Sequence, residues 1–125
     1  MTNPWFQTRQ LNAQTWAIDD HGNNIIYLLT GRERALLLDT GWGVGDLPAL
    51  VASLTPLPLT VVNTHGHPDH VGGDGQFLQV AIADPDRVMA LGCLNAETRR
   101  WAVEHNALPQ PFPLDFDVDA WMAST

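Results

Sequence analysis

Over its first sixty positions the chain sets short apolar runs between clusters of turn formers. A short run at 15–18 reads as a strand, and His21-Gly22-Asn23-Asn24 supplies the turn after it. Apolar runs at 25–29 and 35–38, on either side of Gly31, predict a β-hairpin buried on both faces. Trp5, Phe6 and Trp16 are expected to face the core on the first strands. Leu47, Leu50, Val51 and Leu54 recur at helical spacing behind Asp46, a good N-cap residue, with Pro48 in the first turn and Pro56 and Pro58 ending the helix. The β-branched run at 59–63 predicts another strand. Strand, strand, helix, strand is the order of an α/β layer.

Beyond residue 70 the pattern weakens. A short strand is expected within 76–83 and a helical turn or two from Asp84-Pro85. Asn95 is placed to cap a helix reaching about His105, with Arg100 and Glu104 spaced as an i, i+4 pair. Three prolines at 108–114 break regular structure, and 115–119 alternates like an edge strand or forms a solvated end.

Composition narrows the classes of function. The chain has 125 residues and suits a single domain, 1–125. A formal charge of −8 argues against nucleic acid and against an anionic membrane surface. The one cysteine, Cys93, excludes an internal disulfide and a cysteine-based zinc module, and a buried, inert thiol is expected there. No leader and no apolar run long enough to span a membrane is legible, so the expected location is the cytoplasm.

The chemistry gathers at 64–73, Thr-His-Gly-His-Pro-Asp-His-Val-Gly-Gly. His-x-His-x-Asp-His would arise by chance in about one chain in a thousand of this composition. In an extended chain His65 and His67 project to the same side, Gly66 removes the side chain between them, and Pro68 bends the chain so that Asp69 and His70 turn back. His65, His67, Asp69 and His70 therefore converge at the carboxyl end of a strand. Mixed imidazole and carboxylate donors suit zinc, with iron or manganese as alternatives, in a site that keeps an exchangeable water. Upstream, Gly41, Gly43 and Gly45 mark a loop whose backbone turns tightly or approaches something closely. Its Trp42 either lines a substrate pocket or covers the edge of the core.

This stretch resembles the metallo-β-lactamase superfamily, whose hallmark is His-x-His-x-Asp-His, here His65-Gly66-His67-Pro68-Asp69-His70 followed by Val71-Gly72-Gly73. Asp39-Thr40-Gly41 matches the aspartate that follows a buried strand near the N-terminus of that family. The resemblance implies an αββα sandwich of two similar halves, of which this chain carries the N-terminal one: a mixed sheet with flanking helices. It implies a metal-dependent hydrolase acting through metal-bound hydroxide on an ester, thioester, lactone, lactam or similar bond of a small molecule. His65 and His67 would hold one zinc ion, and Asp69 and His70 a second. Asp69 would be the catalytic proton acceptor, with Asp39 bracing the loop.

The family completes its site with further ligands from its second half. Here His105 reads as a solvent-facing helix residue, and Asp115, Asp117 and Asp119 have no context that carries the role of a bridging aspartate. The remaining ligands would come from a missing C-terminal half or from a second copy in a homodimer. With two protein ligands per ion, the isolated chain is expected to bind zinc weakly and to hydrolyse little. The alternative is a catalytically silent half-domain serving assembly or interaction.

Overall fold

The computed structural model describes residues 5–124. Five strands, β1 (Phe6–Asn12), β2 (Thr15–Asp20), β3 (Ile25–Thr30), β4 (Ala35–Leu38) and β5 (Leu59–Val62), form one sheet in that order. β1 to β4 meander antiparallel, and β5 lies parallel to β4. A parallel neighbour needs a crossover, and α1 (Leu47–Leu54) supplies it. The Asp46 carboxylate caps α1 by accepting from the Ala49 amide, and Pro48 sits where a missing N–H is harmless.

One face of the sheet is buried. Ile18 pairs with Ile26, Leu28 with Leu37 and Leu37 with Val61, and these join Leu47, Leu50 and Val51 of α1 in the core. The opposite face corrects the expectation of a hairpin buried on both sides: Ile25, Tyr27 and Leu29 remain 43%, 40% and 37% exposed. Strict alternation along β3 puts every second apolar residue on that outer face, where a continuous apolar run in the sequence conceals the period of two.

Three other segments depart from the sequence reading. β1 is a full strand although six of its seven residues are polar or exposed, because an edge strand needs only one partner and can be wet on most of its length. In place of a strand within 76–83, a 3₁₀ turn at Asp74–Gln76 is followed by a single parallel bridge, Ala81 to Val62, before Asp84-Pro85 starts α3 (Asp84–Cys93). The segment at 115–119 is no strand. The Asp117 carboxylate accepts from the Ala120 amide and opens α5 (Val118–Ala123), which buries Trp121.

α4 (Ala96–Glu104) is capped by Asn95 as expected, and His105 at its end is exposed and stacks on Trp101. Buried Arg99 ties α4 to the tail by donating to the Trp121 and Ser124 carbonyls, with its guanidinium 5.0 Å over the Trp121 ring. No helix is long and apolar enough to cross a membrane among the described residues.

Candidate metal centre

β4 and β5 run parallel and end side by side, so the residues that follow each strand meet. The Asp39 amide donates to the Val62 carbonyl at 2.9 Å, and the Thr40 amide reaches the His70 carbonyl at 3.0 Å. Beyond β5 the chain passes Asn63 and Thr64 and enters a single helical turn, α2 (Pro68–Val71), with His67 at its N-cap and Pro68 just inside. That turn brings Asp69 and His70 back toward His65, as the spacing predicted.

The four residues of the motif lie together. The His65 ring is 4.8 Å from that of His67 and 4.1 Å from that of His70, and His70 Nε2 is 3.7 Å from Asp69 Oδ2. His67 is exposed, whereas His65, Asp69 and His70 are half-buried. The donor atoms that lie mutually within 4.8 Å belong to a different trio, Asp39, His65 and His70, which leaves out His67 and Asp69.

Asp39 is nevertheless committed to the protein. Its Oδ1 accepts from the Thr64 amide at 2.8 Å, and its Oδ2 accepts from the Thr64 hydroxyl at 2.7 Å and from His70 Nδ1 at 3.0 Å. It is 5% exposed and holds φ at 73°, a left-handed conformation that aspartate tolerates better than most residues. These hydrogen bonds fix two imidazoles. His70 carries its hydrogen on Nδ1 and leaves the Nε2 lone pair outward. The single hydroxyl hydrogen of Thr64 goes to Asp39, so at the 2.9 Å contact with His65 it is His65 Nδ1 that donates, again leaving Nε2 free. Two imidazole lone pairs, with the Asp69 carboxylate 3.7 Å from that of His70, are donors that fit a divalent cation of the zinc, iron or manganese type.

The glycine-rich loop lies directly behind this turn. A Cβ on Gly43 would meet the Gly72 carbonyl at 2.4 Å, so two glycines allow backbone to pack on backbone. Trp42 is buried at 7% exposure, packs edge-on to Trp121, and sits in the core rather than in an open pocket. Its indole N–H meets no acceptor among the described residues. Asp74 accepts from the Thr40 hydroxyl at 2.7 Å and from the Asn63 side-chain amide at 2.9 Å, tying both strand ends together. Burial pushes its carboxyl above the ordinary aspartate value. Cys93 is half-buried, and burial raises its thiol.

Sequence reasoning missed Thr64, Asn24 and Asp20. Thr64 adjoins the motif and was legible as a hydroxyl beside a histidine. Asn24 and Asp20 reach the site only through the fold.

Comparison with known proteins agrees with the geometry. The profile of the Metallo-beta-lactamase superfamily matches residues 20–123. Acyl-coenzyme A thioesterase MBLAC2 of Gallus gallus is 29% identical over 123 residues, and its Homo sapiens counterpart 32% over 126, each match covering 87% of this chain. The chain spans 44% and 45% of those relatives, about half their length. Two solved metallo-beta-lactamases share the fold. That of Pontibacter korlensis has a TM-score of 0.54 at 20% identity over 70% of this chain. That of Erythrobacter litoralis has 0.56 at 21% over 74%. In both, 47% of the neighbour is covered, so the mixed sheet and its helices correspond to about half of that fold. The chain belongs to the metallo-beta-lactamase superfamily.

Proposed function

We propose that this chain forms the cation-binding wall of a thioester hydrolase acting on small acyl thioesters. The observation that carries the reading is the Asp39 brace, which fixes His65 and His70 so that both leave Nε2 free, that of His70 3.7 Å from Asp69 Oδ2. The named thioesterase activity of the relatives supports the choice of bond. His65 and His67 would hold one ion, and Asp69 and His70 a second. When bound, such ions supply Lewis acidity toward a carbonyl oxygen and lower the pKa of water. Asp69 takes up the proton at its carboxylate, Thr64 and Asp39 keep the imidazoles in the ligating tautomer, and the Gly43–Gly72 contact holds the two loops at a fixed distance. Zinc is the preferred ion, with iron and manganese as alternatives.

Calorimetric titration of the metal-free chain with zinc, together with thiol release from an acyl-coenzyme A, tests the proposal. Weak zinc uptake and slow thioester cleavage are expected, with uptake reduced and cleavage abolished in His67→Ala. Uptake unaffected by His67→Ala, or preferential cleavage of a phosphodiester, overturns it.

A second reading, a silent assembly module, draws on the uncovered sheet face, where a groove is lined by Arg9, Leu11, Ala17, Asp19, Ile25 and Tyr27. Light scattering decides it: stable self-association of a chain that takes up no metal favours this role.

A further inference from the structure

We propose that Asn24, in the turn between β2 and β3, is the positioning residue of Asp69. The two residues are 45 positions apart. The Asn24 side-chain amide donates to the Asp69 backbone carbonyl at 3.0 Å and to Asp69 Oδ2 at 2.8 Å. One NH₂ group thus grips a single residue twice and fixes both its main chain and its carboxylate. Without that grip Oδ2 would have His70 Nε2, at 3.7 Å, as its neighbour, and that nitrogen is the one Asp39 leaves for a cation. Asp69 Oδ1 accepts no hydrogen bond among the described residues.

The turn that carries Asn24 is itself tied down. The Asp20 amide donates to the Asn24 carbonyl at 2.8 Å, the Asn23 amide to the Asp20 carbonyl at 3.1 Å, and the Gly22 amide to the Asp19 carboxylate at 2.8 Å. His21 and Gly22 both take positive φ to close it. The choice of side chain also has a reason. A lysine or arginine could donate to Asp69, but its charge would repel the cation and occupy the carboxylate. An amide supplies two N–H groups and no charge.

The inference rests on the cation-binding reading of the site and deepens it. The test is a double-mutant cycle on the full chain, with zinc affinity read by calorimetry. Asn24→Ala is expected to weaken zinc binding about tenfold, the lower end for residues that hold a metal ligand. In an Asp69→Ala background, which keeps all three histidines, Asn24→Ala should change nothing further. An equal drop in both backgrounds, or no drop in the parent, overturns the proposal. Zinc uptake absent from the parent chain overturns the site reading, and this inference with it. Should Asp69→Ala leave too little binding to measure, the side-chain amide resonances of Asn24 in the metal-free chain decide. They must shift in Asp69→Ala, and resonances that stay in place overturn it.

Discussion

Two buried aspartates brace the loops at the strand ends, and they do so with opposite kinds of partner. Asp39 collects a threonine hydroxyl, a backbone amide and an imidazole, and its hydrogen bonds point outward to the histidine motif. Asp20, 1% exposed, collects the Trp5 indole N–H at 2.9 Å and the Trp42 amide at 2.9 Å, and its hydrogen bonds point inward to the tryptophan-lined core. Asp39 therefore governs which atoms face a ligand, whereas Asp20 governs whether the glycine-rich loop stays folded. Damage to the inner brace should remove the fold first, and damage to the outer brace should remove the cation first.

The largest effect is expected at Gly41. Its φ is +69°, and a Cβ there would lie 2.4 Å from Asp20 Oδ2. Gly41→Ala combines left-handed backbone strain of about 1–2 kcal/mol with displacement of a buried, doubly hydrogen-bonded carboxylate. A loss of about 3 kcal/mol, read by urea denaturation, is expected. A loss below about 1 kcal/mol would show that the inner brace does not hold the loop.

Asp39→Asn sharpens the other side of the comparison. Asparagine keeps the shape, the tolerance of positive φ and one acceptor for the Thr64 amide. It then turns an NH₂ group toward the Thr64 hydroxyl and His70 Nδ1. His70 must become the acceptor at Nδ1 and carry its hydrogen on Nε2, which closes that lone pair to a cation. Zinc affinity should fall about 10–100-fold by calorimetry while far-ultraviolet circular dichroism stays that of the parent. An unfolded Asp39→Asn chain would erase the distinction between the two braces.

How much of this was legible follows from how local each signal is. The histidine motif and Asp39-Thr40-Gly41 are runs of adjacent residues, and β4, α1 and β5 carry their own period, caps and prolines. The same locality explains the misses. β1 has no apolar period, because its place is set by pairing with β2 rather than by a buried face. Asp117 reads as part of an alternating strand until Trp121, four residues on, is seen to need a core. Asp20 looks like any aspartate ahead of a turn. Its partners, 15 residues before and 22 after, are supplied only by the folded chain. Asn24 has the same history, in a turn that the sequence does mark.

The smallest effect, and the one that isolates the inner brace, concerns pH. Burial drives the Asp20 carboxyl above its ordinary value of 3.8, against the downward pull of the Trp42 amide and the Trp5 indole. Between 3.8 and that raised value the folded chain therefore holds a proton at Asp20 that the unfolded chain releases. The stability tied to that proton is fully present below 3.8 and is lost as pH rises through the raised folded value. Asp20→Asn cannot titrate, so its stability should fall less steeply than the parent's over that window in denaturant titrations at stepped pH. Asp74, also raised by burial, contributes to both curves, and the difference between them reads Asp20 alone. Parallel curves would mean that the Trp42 amide and the Trp5 indole offset the burial of Asp20 in full, so that the inner brace carries no net cost for its charge.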